Sequence, residues 1–448
     1  MKKMALVLSV LSIFYLLCSC APLNKDGDAQ EEDEVEFVTD ASNLNIENET
    51  GWQIAQYEYR TFLNDLYQFP VSFTYGGHHY SGFGSQFEEV SRNVIDEGVK
   101  ERTEIVLRHE DGFEVTIDAA FYLTYGAYEW TLYFTNTSSQ PTKTFKDVNA
   151  ADIGFLGTNP VLKGLLGDQF SQYYPYEHNL IQTDVSLVTT TGRACEEYMP
   201  YFNLETDSGG ALIALGWPGN WEAHFKYEEK QTRLIARQKG LESYLDPGET
   251  FRTPLMAFVR YGERNEALAT NVWRDWFIDC NMPRVNGEVI QPVYAIGTNS
   301  WTDELTQATE DIILDAVKTF VHNGIGFDYI WLDAGWYLNS DNSQIGSWMS
   351  TGTWEVDTKR FPTSLKAISD YAHSRNGKTL LWFEPESVRV SNLDDFVNNY
   401  GFSKSWLMPN SMWGNNTYLA DMGNPDYRNW LIERVKKVME KGEIEVAI

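Results

Sequence analysis

Three carboxylates stand where apolar runs stop: Asp333 after Phe327–Leu332, and Glu384 and Glu386 after Thr379–Phe383. Each run is short and almost continuously apolar, the pattern of a strand buried on both faces in a parallel sheet. The carboxyl ends of such strands are where (β/α)8 barrels keep their catalytic groups. Two carboxyls in unlike surroundings, one ionised and one protonated, are what glycosidic-bond hydrolysis requires. Trp301, Trp331, Trp336, Trp348, Trp354 and Trp382 crowd the same stretch. Their rings suit the C–H face of a sugar, as the carboxylates suit its hydroxyl edge.

A plainer reading stands beside each chemical one. A lone Asp after a strand also caps the following turn. Trp331 and Trp382 lie in strand runs, and packing is the better account of Trp331. Trp336 follows the Ala334-Gly335 break and is the better candidate for stacking on a sugar. Glu384 and Glu386 alternate about Pro385, so at most one of them enters a barrel mouth.

Other chemistries lack their signatures. The chain has no P-loop, HExxH, Gly-x-Ser-x-Gly elbow or dinucleotide fingerprint. Its formal charge of −29 argues against nucleic acid and anionic membrane surfaces as partners. Of the four cysteines only Cys195 and Cys280 lie outside the leader, too few for a disulfide framework or a zinc site. No metal or organic cofactor is implied.

The elements that must position the carboxylates come in order. Residues 1–20 read as a lipoprotein signal peptide: Lys2 and Lys3, an apolar core over Met4–Leu17, then Leu17-Cys18-Ser19-Cys20 with Cys20 as the lipidated residue. Residues 21–48 form an acidic linker too polar to fold alone. Export, with a lipid anchor at the cell surface or in the periplasm, is the expected location. From Trp52 to Arg260 the apolar period is two, broken by Gly76-Gly77 and Asp111-Gly112, so residues 49–287 read as an antiparallel sandwich with a helical connector over Ala267–Phe277. Residues 288–448 alternate strand and helix, as a parallel sheet requires. A full barrel needs about 250 residues, so the barrel is expected to be incomplete.

In this order and spacing the motifs resemble those of the α-galactosidases of glycoside hydrolase family 36. Pro200–Leu204, Gly216–Trp221, Pro247-Gly248-Glu249 and Asn271–Arg274 match the family's sandwich and its boundary with the barrel. Asp333–Tyr337, Leu381–Glu386 and Gly423-Asn424-Pro425 match its motifs after the second and third barrel strands. The resemblance implies a β-supersandwich followed by a (β/α)8 TIM barrel, and a retaining hydrolase of terminal α-galactosides in oligosaccharides or glycans. It implies that Asp333 bonds galactose hydroxyls, Trp336 walls the subsite and Glu384 orders the pocket, with Trp382 and Glu386 beside them. The family's nucleophile, an Asp ending the fourth strand, and its acid/base Asp are expected beyond Ile448. Glu445 stands at the start of that strand and does not replace them. Ala334 takes the place of a second Asp found in many members. A surface glycan-binding lipoprotein without turnover and an α-N-acetylgalactosaminidase remain the alternatives, and a homo-oligomer is allowed for the complete enzyme.

Overall fold

The computed structural model describes residues 49–168, 172–297, 308–338, 351–390, 393–408 and 417–447. Cys20 and the leader, the linker up to residue 48, Trp301 and Trp348 lie outside them. The chain forms two compact units, Met1–Pro283 and Arg284–Ile448.

The first unit is a β-sandwich of a 10-stranded and a 7-stranded sheet. Alternation builds it: on Phe113–Tyr122, Phe113, Val115 and Ile117 are buried while Glu114, Thr116 and Asp118 are half-buried. Gly76 and Gly77, both with positive φ, close the hairpin of Ser72–Tyr75 with His78–Ser81. Trp130 ties the sheets together by donating its indole N–H to the Ala150 carbonyl at 2.7 Å. The strand reading fails at its start. Glu49–Asn64 is a helix, α1, with Trp52, Ala55, Tyr59 and Leu63 buried along one stripe. Those spacings of three and four are helical, and the helix is held by Trp52 on the Leu123 carbonyl (2.7 Å) and Tyr59 on the Thr103 hydroxyl (3.1 Å). The connector is α2, Glu266–Trp276, whose N-cap Asn265 accepts from the Leu268 N–H. No disulfide joins Cys195 and Cys280.

The second unit holds a four-stranded sheet in which β1 (Ala295–Gly297), β2 (Tyr329–Leu332), β3 (Lys378–Leu381) and β4 (Val446–Ala447) run parallel in chain order. Helix α3 (Glu310–His322) lies between β1 and β2 in sequence and α4 (Lys366–His373) between β2 and β3; α5 (Leu393–Tyr400) and α6 (Pro425–Gly442) precede β4. Ile330, Leu332 and Leu381 share a core with Ile313 and Val317 of α3 and Ile368 and Ala372 of α4. Ile312 is 44% exposed because the buried stripe of α3 runs through Ile313 and Val317. Asn424 caps α6 by accepting from the Asp426 and Tyr427 N–H groups, with Pro425 in the first turn. The fold is thus a β-sandwich followed by a partial (β/α) barrel.

Candidate active site

Parallel pairing sets the level of the two key strand ends. Leu332 and Leu381 are register partners, and the Trp382 N–H donates to the Leu332 carbonyl at 2.9 Å. Asp333 therefore leaves β2 beside Trp382. Since Ile330, Leu332 and Leu381 face the helices, alternation turns Trp331, Asp333, Trp382 and Glu384 to the other face of the sheet.

Asp333 is 5% exposed, and its Oδ1 accepts the Ala334 N–H at 2.8 Å, part of the turn-capping role that sequence left open. Glu384 is half-buried and takes Arg389 Nη2 on Oε1 at 2.9 Å, while its Oε2 is buried with no hydrogen-bond partner. Burial pushes its carboxyl above the usual carboxylate range, with Arg389 opposing the rise and Glu386 adding to it. Glu386 is exposed, so of the two glutamates only Glu384 is enclosed. Tyr337 feels the charge of both acids. Its pKa is raised first by burial, against a hydrogen bond from the Gly335 backbone, with the charges of Glu384 and Asp333 adding to the rise.

The ring of Trp336 is 1% exposed and leaves no open face for a sugar. It packs on Phe383 (5.2 Å between centroids), Tyr337 (5.3 Å) and Trp354 (6.1 Å), and its N–H donates to the Trp382 carbonyl at 2.9 Å. The expected subsite wall is thus a buried strut, because the turn folds back rather than out. Trp382 is half-buried, and Trp331, also half-buried, has an indole nitrogen without a partner.

Sequence reasoning missed the groups that hold this turn. Arg360 pairs with Asp357 at 2.7 Å, with side chains 9% and 4% exposed, and its Nη2 also donates to the Gly335 and Tyr337 carbonyls. The spacing of three between Asp357 and Arg360 was the available signal. Trp354, fully buried, has φ 48°, a conformation rare for a bulky side chain, and is kept there by the surrounding aromatic core. Arg389 had no signal beyond its charge. Glu445 lies at the opposite end of the sheet, with Oε2 accepting the Thr379 N–H at 3.0 Å and Oε1 paired with His373. Among the described residues Asp370, His373 and Glu443 form a cluster of metal-ligand type, but it is exposed and Lys366 already pairs with Asp370 (2.7 Å) and Glu443 (2.8 Å).

Parallel strands with acids at their carboxyl ends are the layout in which barrel enzymes keep their active groups. Residues 251–447 match the family model described as melibiase. Alpha-galactosidase Mel36A of Lactobacillus acidophilus is 27% identical over 241 residues, covering 52% of this chain and 31% of that protein. Alpha-galactosidase 1 of Pediococcus pentosaceus is 25% identical over 285 residues, covering 59% and 36%. The galactosidase domain of alpha-galactosidase-sucrose kinase AgaSK and the GH36 alpha-galactosidase AgaB of Geobacillus stearothermophilus share the fold, each with a TM-score of 0.66, 17% identity, and coverage of 84% of this chain and 54% of theirs. The matched stretch spans about a third of the curated relatives and about half of these solved chains. By these matches residues 251–447 are similar to the melibiase family, and the chain is similar to curated α-galactosidases over part of their length.

Proposed function

We propose that the protein is a retaining glycoside hydrolase of α-galactosidase type, acting on terminal α-galactosides of oligosaccharides or glycans. The observation that carries this is that Asp333 and Glu384 follow the carboxyl ends of adjacent parallel strands, Asp333 level with Trp382 and Glu384 two residues beyond it. In this reading Asp333 accepts hydrogen bonds from sugar hydroxyls and the half-buried Trp382 offers the stacking face. Arg389 holds Glu384 in place, and the exposed Glu386 borders the entrance. Trp336 and the Asp357–Arg360 pair position these groups without touching substrate. A nucleophile from the end of the fourth strand and an acid/base further on complete the retaining pair. AgaA of Geobacillus stearothermophilus has been solved in complex with stachyose and with raffinose, which supports galactosyl oligosaccharides as the substrate class. Export as a lipoprotein anchored at Cys20 is part of the same proposal and rests on the Leu17–Cys20 motif.

The native gene product, assayed on an aryl α-galactoside, tests this reading. Turnover is expected, with kcat/KM reduced about 10- to 100-fold by Asp333→Asn, the loss of a hydrogen bond to a charged group. Binding of stachyose without hydrolysis of any α-galactoside would favour a surface glycan-binding protein instead. Faster turnover of the N-acetylgalactosaminide would move the substrate assignment.

A further inference from the structure

Helix α2 covers only part of the outer face of the 10-stranded sheet. Its Val272 and Trp276 pack on Ala127, Ala214, Ala257 and Val259 in a small second core. Past the edge of the helix, strands Val161–Leu166, Pro175–Asn179 and Tyr198–Thr206 contribute to a cleft of about 520 Å³, a size usual for small-molecule sites. Every residue lining it belongs to the first unit. Phe202 points into the sandwich core, so Tyr201 and Asn203 on either side of it rise into the cleft. Gly164 leaves room for Tyr176, since a Cβ there would come within 2.3 Å of the tyrosine hydroxyl.

The lining is aromatic and polar, with one cation, Lys163, and two carboxylates, Glu177 and Glu266. Tyr201, 41% exposed, meets Trp273 of α2 at 5.8 Å between centroids and 73° between planes, so the rings form a corner. The Tyr176 hydroxyl is buried with no hydrogen-bond partner. Lys163 is held by Glu266 at 3.0 Å and Glu205 at 3.5 Å, so its charge is neutralised in place. Asn203 accepts the Tyr261 hydroxyl at 2.6 Å, which leaves its NH₂ group to donate. An anionic ligand would face the excess of carboxylates in a chain of charge −29, and a cationic one would compete with Lys163. Aromatic faces set against hydrogen-bonding groups, with Lys163 held in ion pairs, suit a neutral polyhydroxylated ring.

We propose that this cleft is a second carbohydrate site, holding a segment of a neutral oligosaccharide against Tyr201 and Trp273. It uses none of the strand-end residues of the barrel, so it stands or falls apart from the hydrolase reading. Titration calorimetry of the full chain with stachyose, and its migration in gels containing galactomannan, test it. In an Asp333→Asn background, which weakens the barrel site, binding is expected to remain and to be weakened about tenfold further by Tyr201→Ala and by Trp273→Ala, a change of about 1.4 kcal/mol. Circular dichroism checks that each variant is folded. Should Trp273→Ala unfold, Tyr201→Ser at the exposed position decides alone. The proposal is overturned if neither carbohydrate binds, or if Asp333→Asn removes all binding while Tyr201→Ala removes none. It is equally overturned if Tyr201→Ala abolishes self-association and leaves glycan binding intact, which would make a second copy of the chain the occupant.

Discussion

Arg389 holds one oxygen of Glu384 at 2.9 Å and leaves the other buried without a partner. The guanidinium therefore orients the carboxyl but does not satisfy it. Burial still wins, and the Glu384 proton is retained to higher pH than in an unfolded chain.

That imbalance gives a pH dependence of stability. A carboxyl whose folded-state pKa is raised binds its proton more tightly when folded, so its contribution is fully present below the ordinary value of 4.5 and is lost as pH rises through the folded value. The Tm of the wild type minus that of Glu384→Gln is expected to fall between about pH 4 and about pH 7. A flat or rising difference in thermal scans would show that Arg389 outweighs burial.

The Asp357–Arg360 pair is buried and clamps the turn that presents Asp333. Arg360→Met leaves Asp357 uncompensated and is expected to cost about 3–5 kcal/mol in denaturant unfolding. Lys359→Met, at the exposed neighbouring position, is expected to stay within about 0.5 kcal/mol.

Trp336 and Trp382 are expected to separate stability from binding. Trp336→Ala removes a fully packed ring and should cost about 3–5 kcal/mol. Trp382→Ala should cost less stability and, in the proposed reading, raise the Kd for a galactosyl oligosaccharide. Calorimetry on both variants checks the split, and the reverse pattern would make Trp336 the sugar platform after all.

The nucleophile and acid/base are expected to be carboxylates other than Asp333 and Glu384, so neither Asp333→Asn nor Glu384→Gln should remove all turnover of an aryl α-galactoside. Retaining chemistry needs two carboxyls roughly 5–5.5 Å apart, and in the proposed reading Asp333 and Glu384 hold substrate. Glu445 cannot serve from the amino end of the sheet, where Thr379 and His373 occupy it. Turnover abolished by Asp333→Asn or Glu384→Gln would make those two the catalytic pair.

Much of the architecture could be read from the residues, because burial on one face or two writes a period into the chain. The alternation of Phe113–Ile117, the apolar runs before Asp333 and Glu384, and the Asn424-Pro425 start of α6 all correspond to observed elements. The helical spacing of Trp52, Ala55, Tyr59 and Leu63 was equally present and was passed over among strands. The order of side chains at the strand ends was legible as well, since a parallel sheet carries successive carboxyl ends to one side. Tertiary structure alone decided what each side chain meets there. Trp336 is a buried strut rather than a sugar wall because the turn after Gly335 folds back under Arg360. Glu384 rather than Glu386 is enclosed because Arg389 returns across the strand end to pair with it. The first outcome depends on contacts between segments tens of residues apart and the second on a reversal within five residues, and no local period records either.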